Sequence, residues 1–159
     1  DYFKAITIDS SFTWPYNNIG MLFRNIKQYS ISIVFFNKAI EIDSTFSKSY
    51  NNLALNYIDL NEFDEAIIYA KSAIKFETAY SNAYNTLTVA FLMKGEFLQA
   101  LESISKAIEL DPQIHYYYDN RYQINLALKK YTDVKKDLQQ LIDWGHTKYI
   151  CILDSLENI

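Results

Sequence analysis

One short phrase returns along this chain at a fixed interval. It reads Lys4-Ala5-Ile6-Thr7-Ile8-Asp9, then Lys38-Ala39-Ile40-Glu41-Ile42-Asp43. It comes back as Ser72-Ala73-Ile74-Lys75-Phe76-Glu77 and as Lys106-Ala107-Ile108-Glu109-Leu110-Asp111. The alanines fall at 5, 39, 73 and 107, each 34 residues after the last, and Leu141 takes the next place. A second phrase keeps the same interval: Tyr16-Asn17-Asn18-Ile19, Tyr50-Asn51-Asn52-Leu53, Tyr84-Asn85-Thr86-Leu87 and Tyr118-Asp119-Asn120-Arg121. A unit this short cannot bury its own apolar face, so such a chain gains a core by stacking neighbours.

Each period holds two helical patterns. Tyr50, Leu53, Ala54, Tyr57 and Ile58 recur at helical spacing. After the polar break Asn61-Glu62, the residues Phe63, Ala66, Ile67, Ala70, Ala73 and Ile74 do so again. Each helix spans about 14 residues, and the short break predicts an antiparallel pair. Ala54, Ala66 and Ala73 suit places where two helix axes approach closely. Composition agrees. Only 3 Gly and 2 Pro occur among 159 residues, fewer than a turn-rich β or α/β fold needs. Half the residues are apolar, which argues against a disordered chain. The fold class is therefore all-α, a solenoid of antiparallel helix pairs.

The pattern resembles the tetratricopeptide repeat family. In the third full period the matching residues are Tyr84, Leu87, Phe91, Gly95, Phe97, Ala100, Ala107 and Pro112. The second offers Tyr50, Leu53, Ala54, Tyr57, Phe63, Ala66 and Ala73, and the first Tyr16, Ile19, Gly20, Phe23, Tyr29, Phe36 and Ala39. The resemblance implies a right-handed α-α superhelix forming one domain over residues 1–159. Residues 1–12 read as the second helix of a truncated repeat. Full repeats follow at 13–46, 47–80, 81–114 and 115–148, and 149–159 reads as a C-terminal capping helix. Ser10, Ser44 and Thr78 stand where the family has proline, and are expected to stop one helix and cap the next. The fourth period departs most, with Arg121, Tyr122 and Asn125 at apolar places, as suits a terminal repeat with a polar face. Arg121 and Asp137 are expected to form an ion pair across its two helices.

In this family the first helix of each repeat lines a concave groove. By that resemblance the groove carries Trp14, Asn17, Met21, Arg24 and Asn25, then Lys48, Asn51, Leu55, Ile58 and Asp59. It continues as Asn82, Asn85, Val89, Leu92 and Met93, then Tyr116, Asp119, Gln123, Leu126 and Ala127. The candidate partner-binding set is Asn17, Met21, Arg24, Lys48, Asn51, Leu55, Asn82, Asn85, Val89, Tyr116, Asp119 and Gln123. Two polar ladders run through it. Asn17, Asn51, Asn85 and Asp119 form one, and Asn18, Asn52, Thr86 and Asn120 the other. A side-chain amide offers both a donor and an acceptor, so it can pair with a peptide backbone. The same amides could instead bridge adjacent helices, a reading favoured for the second ladder. A cationic clamp for chaperone tails, known in this family, would need Lys or Arg at Asn17, Asn82 and Thr86, or at Asn51, Tyr116 and Asn120. It is missing in both frames.

Other chemistries find little support. The net charge is -4, and the densest basic stretch, Lys129, Lys130, Lys135 and Lys136, is broken by Asp133 and Asp137. Nucleic acid is thus an unsuitable partner. The single Cys151 excludes a disulfide framework and a cysteine-based zinc site, and its apolar surroundings predict burial. No apolar run is long enough to span a membrane. His115 and His146 lie in different periods with no nucleophile at motif spacing. The expected function is a non-catalytic module that binds a protein or peptide without a cofactor. A structural scaffold and the regulatory arm of a larger protein stay open, and Tyr2, Phe3, Ile6 and Ile8 suit self-association of the first helix. The opening Asp1-Tyr2-Phe3-Lys4 names no compartment; the cytoplasm is preferred to the cell envelope.

Overall fold

The computed structural model describes residues 2–156. Asp1 and the end of the expected capping helix, Glu157, Asn158 and Ile159, lie outside the described residues. Helix α1 runs Tyr2–Ile8 and is followed by four pairs: α2 (Thr13–Asn25) with α3 (Tyr29–Ile42), α4 (Ser47–Asp59) with α5 (Phe63–Phe76), α6 (Ser81–Lys94) with α7 (Phe97–Leu110), and α8 (His115–Ala127) with α9 (Tyr131–Asp143). A short 3-10 turn, Thr147–Tyr149, leads into α10 (Ile150–Leu156). No strand occurs among the described residues. The architecture is an α-α solenoid.

The sequence period reappears in the turns. Lys27, Asn61, Gly95 and Lys129 all have left-handed backbone, with φ of 61, 61, 76 and 57°. Each ends the first helix of its pair. The next residue then donates its amide back to the last turn, as in Gln28 N–H to the Phe23 carbonyl and Lys130 N–H to the Asn125 carbonyl, both 2.8 Å. The turns between pairs work differently from expectation. Ser10, Ser44 and Thr78 do not cap the following helices, whose N-caps are Phe12, Phe46 and Tyr80, without side-chain bonds. They sit two residues too early to reach the first amides. Asp9 and Asp43 order two of these turns instead: their Oδ1 atoms accept the amides of Ser11 and Thr45 at 2.8 and 2.9 Å.

Alanine makes the close packing. Ala39, Ala54, Ala66, Ala70, Ala73, Ala83, Ala90, Ala100 and Ala107 are completely buried. Glycine does this at one crossing, where a Cβ on Gly20 would lie 2.6 Å from the Phe36 ring. Ser32, also buried, satisfies its hydroxyl by donating to the Gly20 carbonyl at 2.8 Å. The main core runs from Ala54 to Ile124. A second cluster, Val134, Leu138, Leu141, Tyr149 and Leu156, joins α9 to the tail. Cys151 is exposed, contrary to the expectation of burial. The helical phase of the tail sends Tyr149 and Leu156 inward and leaves Cys151 on the outside.

Corresponding places in the four repeats differ in chemistry along the contact between paired helices. The first repeat puts Ile19, Phe23 and Phe35 there, with the two rings stacked at 5.5 Å. The second puts Leu53, Tyr57 and Tyr69, the rings stacked at 5.2 Å. The third has Leu87, Phe91 and Ser103; the fourth has Arg121, Asn125 and Asp137. Arg121 holds Asp137 through Nη2 at 2.6 Å and Nε at 3.1 Å, the expected ion pair. Asn125 Nδ2 adds a long 3.4 Å bond to Asp137, while its Oδ1 is buried without a partner. Burial raises the Asp137 pKa above the ordinary carboxylate value, against the opposing pull of Arg121.

Candidate functional site

The curvature of the stack follows from which helices touch. Among alternate helices, α2 meets α4, α4 meets α6 and α6 meets α8, whereas α3, α5, α7 and α9 make no such contacts with one another. The first helices are therefore gathered on the inner side, and the second helices splay on the outer side. The inner face is the candidate binding face.

The structure divides its polar residues into two groups. One group is used internally. Asn52 Nδ2 donates to Asn17 Oδ1 at 2.8 Å, and Ser49 Oγ donates to the same oxygen at 3.1 Å. Asn120 Nδ2 donates to Asn85 Oδ1 at 2.7 Å. The two ladders thus bond to each other across successive repeats. The middle junction breaks this pattern because Thr86 stands in the donor position. Its hydroxyl turns back to the Asn82 carbonyl at 3.0 Å, and Asn51 Oδ1 is left buried without a partner. Asn17 and Asn51 are only 2% and 4% exposed, so their amides face the neighbouring helix rather than the groove.

Asp119 is also engaged, through Tyr149, which the sequence reading placed in the tail and did not count among groove residues. The Tyr149 hydroxyl donates to Asp119 Oδ1, and Gln123 Nε2 donates to Oδ2 at 3.2 Å. Burial first, then this bond, raises the Tyr149 pKa and keeps the phenol protonated as a donor. The sequence signal was faint: a lone tyrosine thirty residues after Asp119.

The second group is presented to solvent. Trp14, Met21, Met93, Tyr116 and Leu126 are 51%, 42%, 55%, 40% and 41% exposed. Asn82 and Gln123 are exposed beside them, with Leu55, Asn85 and Val89 half-buried. Asn82 Oδ1 already accepts from the hydroxyls of Tyr116 and Tyr117 at 2.9 and 3.0 Å. Charges on this face are paired off: Arg24 with Asp59 at 2.8 Å, and Lys48 with Glu77 at 3.8 Å. Lys48 also lies over the Trp14 ring, 5.6 Å from its centroid. The face offers apolar contact and amides with little net field. His115 and His146 do meet, with ring centroids 4.7 Å apart. No cluster of three or more metal-ligating side chains forms among the described residues. None of the described helices is long and apolar enough to cross a membrane.

Stacked helix pairs with a gathered inner face define the class of α-α solenoid repeat proteins. Tetratricopeptide repeat profiles match residues 15–46 and 35–68. These matches, with the similar solved structures below, support a tetratricopeptide repeat assignment. Among solved structures its fold is similar to that of MamA, at 21% identity over 92% of this chain and 86% of that one, with a TM-score of 0.79. It is similar to YrrB, a TPR protein with an unusual peptide-binding site, at 17% identity over 98% and 81% of the two chains and a TM-score of 0.80. The first TPR of Spaghetti (RPAP3), bound to the HSP90 peptide SRMEEVD, matches at 21% identity over 76% and 96%, with a TM-score of 0.72. No curated protein sequence matches significantly.

Proposed function

We propose that the chain is a non-catalytic interaction module that holds an extended peptide of low charge on its inner face. The row of exposed Trp14, Met21, Met93, Tyr116 and Leu126 along the gathered helices carries this reading. Methionine and aromatic side chains adapt to a partner and bury large areas with little ordering cost. Asn82 and Gln123 supply amides for a peptide backbone. The peptide-bound and peptide-binding folds among the similar structures support the same reading. Arg24, Lys48, Leu55, Asn85 and Val89 flank this row, while Asn17, Asn51 and Asp119 position the helices that carry it.

A random peptide display library selected on the immobilised chain tests the proposal. Selected peptides are expected to be apolar and weakly charged. Met21→Lys with Met93→Lys is expected to abolish their binding in fluorescence polarisation while helical circular dichroism is kept. Unchanged affinity in that double variant would remove the inner face from the function. The peptide SRMEEVD is a second probe. With Asn17, Asn82 and Thr86, or Asn51, Tyr116 and Asn120, where a clamp needs cations, calorimetry is expected to show no binding.

A further inference from the structure

The outer side of the third repeat contains a cavity of about 550 Å³ lined by Lys71, Tyr84, Leu87, Phe91 and Ser103, with Lys106 among the residues of its rim. Its walls have counterparts two periods earlier, where the same place is filled. In the first repeat the Phe35 ring stacks on Phe23 at 5.5 Å, lies 6.5 Å from Tyr16, and receives Phe3 edge-on at 6.2 Å. Adding 68 to each number converts Phe3, Tyr16, Phe23 and Phe35 into Lys71, Tyr84, Phe91 and Ser103. In the second repeat Tyr69 stands in the same position and stacks on Tyr57 at 5.2 Å, with the planes 5° apart. The cavity is thus bordered by the neighbours of a ring that this repeat lacks.

We propose that this cavity is a second docking site, separate from the inner face, and that its occupant is an aromatic side chain of a partner protein. The entering ring takes the place that Phe35 and Tyr69 fill from within their own repeats. The volume falls in the ~300–1,000 Å³ range of small-ligand sites, with room for a ring and its adjoining backbone. Phe91, Leu87 and Tyr84 supply the apolar surface; Ser103 sets the depth, because its side chain stops at a hydroxyl that donates to the Gln99 carbonyl at 2.9 Å. Phe91 is 8% exposed, and the Lys71 ammonium lies 5.7 Å from its ring centroid. That side chain is exposed, and its cation can lie against a second ring as it does against the first.

Titration of the full chain with N-acetyl-tryptophanamide, followed by ¹H–¹⁵N correlation spectra, tests the site. Shifts are expected at Leu87, Phe91 and Ser103 and their neighbours, and not along the inner face. Ser103→Tyr restores the internal ring, so it is expected to abolish these shifts and to raise the melting temperature. Should that variant lose its dispersed spectrum, Phe91→Leu removes the stacking surface and is expected to abolish the shifts as well. Shifts that persist in the folded variants, or that never appear in the parent, would overturn the proposal. A dimer seen by light scattering and dissolved by Ser103→Tyr would assign the cavity to a second copy and would overturn it too.

Discussion

The first two repeats and the last two share one backbone plan, yet they seal it with opposite chemistry. Phe23 on Phe35 and Tyr57 on Tyr69 close the early repeats with stacked rings. The late repeats have a cavity beside Phe91 and an ion pair between Arg121 and Asp137. A stacked pair adds about 0.5–1.5 kcal/mol beyond the area it buries. A buried ion pair is near neutral against an apolar replacement, because desolvation offsets its attraction. The first three pairs cross at small buried residues, Gly20, Ser32 and Ala39, then Ala54, Ala66 and Ala73, then Ala100 and Ala107, while the contacts beside these crossings vary from repeat to repeat. The stacked rings lie toward one end of the chain, and the cavity and the ion pair toward the other.

The largest expected effect comes from breaking the polar contact on one side only. Arg121→Ala leaves Asp137, 2% exposed, as an unpaired buried charge, and is expected to cost about 3–5 kcal/mol in urea unfolding. Converting the fourth repeat to the pattern of the second is expected to act in the opposite direction. Arg121→Leu, Asn125→Tyr and Asp137→Tyr together are expected to stabilise by about 1–4 kcal/mol. A loss instead would show that the polar contact is optimised and that the comparison drawn above misjudges it. On the inner side the middle junction can be made like its neighbours. Thr86→Asn supplies the donor that Asn51 Oδ1 lacks, for a gain of about 0.5–1.5 kcal/mol read from the denaturation midpoint.

The smallest effect is in pH. The folded-state pKa of Asp137 is raised, so its proton is held more firmly in the folded chain than in the unfolded one. This group's contribution is fully present below the ordinary carboxylate value of 3.8 and is lost as pH rises through the folded value. Stability profiles of the parent and Asp137→Asn across that interval are expected to diverge with this sign.

Much of the fold was legible because the alanines recur at an interval no other architecture explains. Arg121 and Asp137 could be paired from the sequence, since their places in the repeat match those of Leu53 and Tyr69. The asparagine ladders were harder. Neighbours such as Asn51 and Asn52 are about 100° apart around a helix axis, and which of them meets the next repeat depends on helix rotation. Only coordinates show that Asn52 reaches Asn17 while Thr86 fails to reach Asn51. Cys151 was misjudged for a similar reason: a short tail of mostly apolar residues does not reveal its phase. The cavity was legible in principle, as Ser103 interrupts a column of Phe35 and Tyr69, but its shape was not.

The left-handed turns carry one more consequence. Gly95 suits that backbone, but Lys27, Asn61 and Lys129 adopt it with full side chains. For a lysine such a conformation costs on the order of 1 kcal/mol, and a packed stack enforces it at Lys27 and Lys129 all the same. A glycine at either place would relieve the backbone without disturbing the buried helix crossings. The chain thus has headroom for divergence: a repeat can acquire a new and mildly destabilising binding surface, and a change in a distant turn can compensate for it.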